Sequence, residues 1–378
     1  MKRRPLMKFL HIADLHLGKR VNEYSMLDEQ RAVLEQIVDI TKKEKPHAVF
    51  IAGDVYDKLT PPAEAVMLLD SFLCSLARCG TEVFLISGNH DSPERLAFGS
   101  ALMEGSGVHI APVYDGTLSK HTVKDEYGEV DVYMLPFIRP SNVKRFFEDK
   151  EILSYTDAVN TAIDAANIDF DGRRTVLLSH QFVTGGTTCE SEVFAVGGLD
   201  NVDADAYDGF DYVALGHLHG QQKIVDGRIY YSGTPLKYSF SEKDHKKGVL
   251  LGEMDGDGGV KTTLIPLIPL HDMRELKMTF NEAIEHPSDD YMHIILTDEV
   301  PVPFAHSKLL SYFPNLMNTD YETGSKEEDD ILLAEHKYTS PSEIFEELFE
   351  KINGRPMTDE QRKISDELIK KIWEEEVL

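Results

Sequence analysis

Phe9-Leu-His-Ile-Ala-Asp14-Leu-His16-Leu-Gly18 starts as a strand and finishes as a polar turn. The apolar, β-rich run over 8–13 is cut by Asp14 and His16. The same texture recurs down the chain. His47-Ala-Val-Phe-Ile-Ala ends in Gly53-Asp54-Val-Tyr-Asp57, and Glu82-Val-Phe-Leu-Ile-Ser ends in Gly88-Asn89-His90-Asp91. Thr175-Val-Leu-Leu-Ser runs into His180-Gln181, and Tyr212-Val-Ala-Leu into Gly216-His217-Leu-His219. Continuous apolar runs of this length fit strands buried on both faces, as in a helix-covered sheet. Between them, residues 25–42 and 61–78 carry apolar side chains at helical spacing, among them Leu34, Ile37 and Val38, then Leu68, Phe72 and Leu76. The expected class is α/β, in layers.

What ends each strand carries the chemistry. In α/β sheets the carboxyl ends of the strands form the ligand crevice, so the five clusters should converge there. They offer carboxylate, imidazole and amide, with no thiol. That set suits Mn²⁺, Fe²⁺ or Zn²⁺ in a nitrogen–oxygen site, with ligands enough for two ions. In Asp14-x-His16 and His217-x-His219 the pairs stand two apart, which at a strand end places both side chains on one face. Gly53, Gly88 and Gly216 precede the polar residues, where a strand-to-loop turn needs a permissive backbone. Singly these signals are weak. A lone histidine at a strand end is usually structural, and Gly-Asn-His-Asp alone reads as a turn. Five such endings in order outweigh that reading and point to a metal site.

Composition limits the alternatives. The chain has 378 residues, 42% of them hydrophobic and 28% charged, ample for a packed core. No apolar run reaches the ~20 residues that span a bilayer, and the stretch after the basic start is too short for a signal peptide. Cys74, Cys79 and Cys189 cannot all pair and match no zinc spacing, so reduced thiols and a cytoplasmic setting are expected. With 39 Lys+Arg against 66 Asp+Glu, the formal charge of -27 argues against a nucleic-acid partner. Bound divalent cations, or a partner's basic surface, would answer that objection.

Beyond residue 247 the texture changes. Gly248-Val-Leu-Leu-Gly-Glu and residues 260–267 read as closing strands around the turn Asp255-Gly-Asp-Gly-Gly. A second region begins near His271, with the strand-like Tyr291-Met-His-Ile-Ile-Leu and a solvated acidic patch at Lys326-Glu-Glu-Asp-Asp330. Ser340, Pro341 and Glu343 punctuate a helix start, with Ile344, Phe345, Leu348, Phe349 and Ile352 as its stripe. Thr358 with Gln361 repeats the capping signal ahead of Ile364, Leu368, Ile372 and Trp373. These stripes suit either packing on their own domain or a groove on a partner.

The ordered set Asp-x-His, Gly-Asp-x-x-Asp, Gly-Asn-His-Asp, His, Gly-His-x-His resembles the calcineurin-like dinuclear metallophosphoesterases. Its wider context, Phe9 to Gly18, Leu215-Gly-His-Leu-His-Gly220 and Tyr231-Ser-Gly-Thr-Pro-Leu236, is similar to the bacterial SbcD nuclease subunits, relatives of the nucleases of archaeal and eukaryotic double-strand-break repair complexes. The match covers residues 7 to about 270 strongly.

The resemblance implies a layered metallophosphoesterase sandwich at 7–270, a small α/β capping domain at 271–338 and helices at 339–378 that dock on an SbcC-like ATPase. Residues 1–6 would be a dispensable leader before a start at Met7. Asp14, His16 and His219 would hold one metal, Asn89, His180 and His217 the other, and Asp54 would bridge them. His90 would contact the scissile phosphate and assist the leaving oxygen; archaeal relatives place a catalytic histidine where this chain has Asp57, which leaves Asp57 without an assigned role.

The implied activity is Mn²⁺-dependent hydrolysis of DNA phosphodiesters, as double-strand exonuclease and hairpin or single-strand endonuclease in repair, recombination and replication. Two divalent ions, DNA, the ATPase and a homodimer within a heterotetramer are the expected cofactors and partners, with no membrane. A phosphodiesterase or phosphatase for small substrates is the alternative on the same site, and a non-catalytic DNA-tethering scaffold the alternative of another class. Lys19 and Arg20 are expected as a solvated pair, His11 as a structural histidine, and residues 184–198 as a surface loop.

Overall fold

The five apolar runs become strands, but they are divided between two sheets. The computed structural model describes residues 6–111, 113–192, 201–322, 345–346, 349 and 355–375. The chain divides into two compact units, Met1–Asp320 and Tyr321–Leu378. The first unit opens with β1 (Met7–Ile12), α1 (Leu27–Glu44), β2 (Ala48–Ala52), α2 (Ala63–Arg78), β3 (Glu82–Ile86) and β4 (Val108–Ile110). The hairpin β5 (Ser119–Asp125) and β6 (Gly128–Leu135), α3 (Tyr155–Ala165), β7 (Arg174–His180) and β8 (Tyr212–Gly216) follow. Next come β9 (Gln222–Val225), β10 (Ile229–Tyr231), β11 (Gly248–Met254) and β12 (Val260–Pro266).

The first sheet has the order β12-β11-β1-β2-β3-β4, and the second β9-β10-β8-β7-β6-β5. In the first, β1 to β4 are parallel and β11 returns antiparallel on β1. In the second, β6, β7, β8 and β10 are parallel, with antiparallel strands on both edges. The sheets pack face to face through a core that includes Phe9, Phe50, Phe84, Val132, Leu178 and Tyr212. Phe9 packs with its ring centre 4.6 Å from that of Tyr212 across the gap and 5.0 Å from that of Phe50 in its own sheet. α1 and α2 cover the outer face of the first sheet, where Leu34, Ile37, Leu68 and Phe72 meet Leu10, Ile12, Val49 and Ile51. α3 covers the second sheet through Ala158, Val159 and Ala162. The runs are therefore apolar on both faces because one face meets helices and the other meets the opposite sheet, the layered sandwich that the resemblance implies.

His11 is structural, as its place on a buried strand implies. Its Nδ1 lies 3.0 Å from the Tyr212 hydroxyl and its Nε2 3.0 Å from the Leu215 carbonyl, a polar strut between the sheets. A smaller sheet follows, ordered β13 (Met273–Met278), β14 (Tyr291–Leu296) and β15 (Leu316–Tyr321). Its approach is fixed by the buried Glu29 of α1, which accepts from the Leu270 N–H at 2.7 Å and faces His271 Nδ1 at 2.7 Å.

In the second unit, α4 (Asp359–Glu375) carries the expected cap. Thr358 N–H donates to Gln361 Oε1 at 3.1 Å, and Gln361 N–H to Thr358 Oγ1 at 3.3 Å. Ile364 and Leu368 of its stripe are 59% and 55% exposed. The acidic patch, the Ser340–Pro341–Glu343 cap, and Ile344, Leu348 and Ile352 lie outside the described residues.

Candidate metal centre

Beyond the ends of β1 and β2 the two chains keep running side by side. Asp14 N–H donates to the Gly53 carbonyl at 3.0 Å, His16 N–H to the Asp54 carbonyl at 2.9 Å and Leu17 N–H to the Val55 carbonyl at 2.9 Å. Asp14, His16 and Asp54 all have left-handed backbone, with φ of 54°, 44° and 47°, a conformation that costs a non-glycine residue about 1–3 kcal/mol. β1 has already ended at Ile12, so Asp14 and His16 reach one centre by alternate left-handed residues and not by the pleat of a strand. Gln30 of α1 holds this turn, donating to the His16 carbonyl at 2.7 Å.

Asp54 lies at the middle. Its Oδ2 is 3.7 Å from His16 Nε2 and 3.4 Å from His180 Nε2, while its Oδ1 accepts the His90 N–H at 2.9 Å. His180 Nδ1 lies 2.8 Å from the Ala52 carbonyl, which must accept its hydrogen, so Nε2 is the nitrogen that faces the centre and can give a lone pair there once it has lost its proton. Asn89 Oδ1 is 3.1 Å from that Nε2 and 3.0 Å from His217 Nδ1. Asp14, both oxygens on the His217 N–H, forms with Asp54 and His180 a buried group whose ligand atoms lie within 4.8 Å. Gly53, with φ +89°, is obligatory: a Cβ there would sit 2.3 Å from His180 Nδ1. Gly88 and Gly216 are required for space, since a Cβ would lie 2.1 Å from Asp54 Oδ1 and 1.9 Å from the Ala52 carbonyl oxygen.

On the other side, His219 Nε2 faces His16 Nε2 at 3.2 Å. Its Nδ1 meets Ser191 Oγ at 2.8 Å and Glu242 Oε1 at 3.3 Å. Glu242 also binds the Lys247 ammonium, which donates to the His219 carbonyl at 2.9 Å. This is a carboxylate behind an imidazole, the arrangement that fixes a metal-ligating histidine's tautomer. His90 stands edge-on to His16, ring centres 4.9 Å apart, with its Nδ1 3.0 Å from the Asp57 carbonyl. Asp57 binds Lys19 at 2.8 Å and has an oxygen 3.8 Å from His16 Nδ1. Lys19 is thus a mostly buried ion-pair partner, in contrast to the solvated pair expected with Arg20.

The electrostatics fit a cation. Burial works to lower the His180 pKa, but Asp54, Asp14 and the Ala52 carbonyl outweigh it and lift the group to about 9. Burial, then neighbouring His180, pushes His217 down to about 3. Burial raises Asp14 well above the usual carboxylate range, while around Asp54 the opposing pull of His180 and His16 overcomes burial and holds it well below. His16 Nδ1 is buried with no hydrogen-bond partner in the protein. Lone pairs of imidazole, carboxylate and amide meet here with few donors between them, the chemistry of a divalent-metal site.

The sequence expected no thiol here, yet Cys189 places its sulfur within 4.8 Å of ligand atoms of His219 and Glu242. Burial pushes that thiol up to about 11, so it stays protonated. The loop carrying it does more than cover the surface, since Glu192 accepts the His219 N–H at 2.5 Å. Ser191, Glu192, Glu242, Lys247 and Gln30 are the functional neighbours that sequence reasoning missed. Asp91 was visible as the end of Gly-Asn-His-Asp. Its carboxylate takes N–H donors from Val55, Tyr56 and Gly88 at 2.9–3.0 Å and so locks two of the ligand loops together.

The calcineurin-like phosphoesterase family matches residues 7–221, and a second family, the type 5 capsule protein repressor C-terminal domain, matches 269–353. The SbcD subunit of the SbcCD nuclease of Staphylococcus epidermidis is 32% identical over 321 residues, 82% of this chain and 84% of that protein. Among solved structures, a dimetal phosphatase from Danio rerio aligns over 66% of this chain and 93% of its own at 13% identity, with a TM-score of 0.38. GAP50, the anchor in the inner membrane complex of Plasmodium, aligns over 70% and 85% at 12% identity, with a TM-score of 0.41.

Proposed function

Because the chain belongs to the calcineurin-like phosphoesterase family, and within it to the SbcD nuclease subunits, we propose that it is the nuclease subunit of an SbcCD-like complex, hydrolysing DNA phosphodiesters with two manganese ions. One observation carries the reading: Asp54 Oδ2 lies 3.7 Å from His16 Nε2 and 3.4 Å from His180 Nε2, so the Asp54 carboxylate is within reach of both ligand sets and would be shared by the two ions. Asp14, His16 and His219 would hold one, and Asn89, His180 and His217 the other. Two divalent cations so held would supply Lewis acidity at phosphorus and a means of ionising an attacking water near neutral pH.

The chain's own groups do the rest. His90 is fixed from both ends, its N–H on Asp54 and its ring on the Asp57 carbonyl, and in this role it meets the scissile phosphate and the leaving oxygen. Glu242 and Ser191 hold the His219 ring, while Lys247 holds its carbonyl. A cleft of about 320 Å³ beside Asn89 is lined by Phe137 and by Arg139 and Arg145, whose two guanidinium groups suit a polyanion despite the net charge of -27.

Cleavage as a double-strand exonuclease and as a hairpin or single-strand endonuclease, in DNA repair, belongs to this reading. So do the boundaries 7–270 for the nuclease domain, 271–338 for the cap and 339–378 for the helices that dock on an SbcC-like ATPase. The exposed Ile364 and Leu368 on α4 support the docking role. Phe98 and Leu102, 83% and 86% exposed, support a homodimer within the heterotetramer. Among the described residues no helix is long and apolar enough to cross a membrane, and a cytoplasmic site of action is proposed. The test is linear duplex DNA with Mn²⁺, Asp54→Ala as the blank and the ATPase with ATP in a second arm. Cleavage missing from the blank and stimulated by the partner is expected. Turnover of a small phosphodiester with no DNA cleavage in either arm would overturn the assignment.

A further inference from the structure

A second cluster of metal-ligating side chains lies at the edge of the sandwich, on different strands from those that supply the dinuclear centre. His109 is on β4, the edge strand of the first sheet, and His121 is on β5, the edge strand of the second. Glu104 comes from the short turn before β4. We propose that Glu104, His109 and His121 form a further metal site, for a zinc-class divalent ion that ties the two sheet edges together.

One ligand atom from each of the three residues lies within 4.8 Å of the others. The imidazole rings are 4.1 Å apart, and a Glu104 oxygen is 3.8 Å from His121 Nδ1. The state of His109 is the main argument. Its Nε2 lies 2.7 Å from the Glu82 carboxylate, which accepts hydrogen only, so the Nε2 carries the proton. When the ring is neutral its Nδ1 presents a lone pair, and that atom is buried with no hydrogen-bond partner in the protein. A carboxylate behind one ring nitrogen and a lone pair aimed forward from the other is how proteins prepare a histidine for a metal. Phe84, stacked on His109 with centres 4.9 Å apart, fixes the ring plane.

Without an ion the tilted histidine pair leaves that Nδ1 with no hydrogen-bond partner in the protein, whereas an ion satisfies it. Two imidazoles and a carboxylate with an open fourth position match zinc chemistry better than the oxygen-rich shell that magnesium or calcium requires. Entry is possible from the Glu104 side, since that side chain is 56% exposed while His109 is only 11% exposed. The ion would join β4 to β5 at the side of the molecule where both sheets present an unpaired edge.

The test counts zinc. The full-length protein, His121→Asn and Glu104→Gln are each dialysed against Zn²⁺, desalted and measured by mass spectrometry of the metal. Each variant is expected to hold one zinc ion fewer per chain than the parent, with the Mn²⁺-dependent activity of the dinuclear centre unchanged. Glu104→Gln changes an exposed side chain and so keeps the test independent of folding. Equal zinc counts in the parent and both variants would overturn the proposal.

Discussion

Asp54 Oδ2 lies 3.4 Å from His180 Nε2, and the other Asp54 oxygen is held by the His90 N–H at 2.9 Å. Under the proposed assignment the carboxylate links a ligand position to a catalytic position, and substitutions on its two sides should separate. Asp54→Ala removes the shared oxygen and is expected to lose bound manganese and all cleavage together. His90→Ala is expected to keep both ions and lose about 10²–10⁴-fold in turnover, the range for a missing general acid. Metal counts beside single-turnover rates check this. A metal-free His90→Ala protein would show that the division of labour between the two residues is wrong.

The proton on His180 gives a second expectation. With its pKa raised to about 9 in the metal-free protein, His180 is charged at pH 7 and must lose that proton before its Nε2 can bind an ion. Manganese binding should release protons at pH 7 and tighten as pH rises from 7 to 9, flattening above that. Calorimetric titration in two buffers of different ionisation heat measures the release directly. Identical heats in both buffers at pH 7 would contradict it.

The same residues show how much could be read from the chain. Five strand ends bearing Asp14, Asp54, Asn89, His180 and His217 converge in space because β1, β2 and β3 of one sheet and β7 and β8 of the other point their carboxyl ends the same way. The periodicity of an apolar run reports burial on both faces and cannot distinguish a covering helix from a covering sheet, so the sandwich was legible only through the resemblance carried by the ordered motifs. Glu242, Lys247 and Ser191 were equally hidden. Each is a common surface residue type, and only the return of the chain past His219 gives it a partner. Thr358 and Gln361 were legible because a capping box is local.

Glu242 supports a prediction of its own. It is fully buried, lies behind His219 and is paired with the buried Lys247. Glu242→Gln should weaken metal binding about 10–100-fold, the usual effect of losing the carboxylate behind a ligating imidazole. It should also destabilise the fold by about 3–5 kcal/mol, because Lys247 is left charged without its partner. Adding Lys247→Met should recover stability and leave the affinity low. Recovery of both, or of neither, in urea melts and manganese titrations would count against a separate role in orienting His219.

His11 tests the sandwich apart from its metals. Burial holds its pKa down to about 3, the contact to the Leu215 carbonyl offsetting only part of that effect. The folded protein therefore keeps His11 neutral between pH 6.5 and about 3, while the unfolded chain, with an ordinary value near 6.5, takes up a proton. Stability contributed by the neutral ring is present above pH 6.5 and falls as the pH drops, by up to about 1.4 kcal/mol per pH unit for one proton. His11→Gln can still donate to the Leu215 carbonyl and accept from Tyr212, but it has nothing to protonate. Urea melts of the metal-free parent and variant from pH 7 down to pH 4 should show the parent losing stability more steeply. Parallel slopes would mean that the contact between β1 and Tyr212 is not what acid breaks.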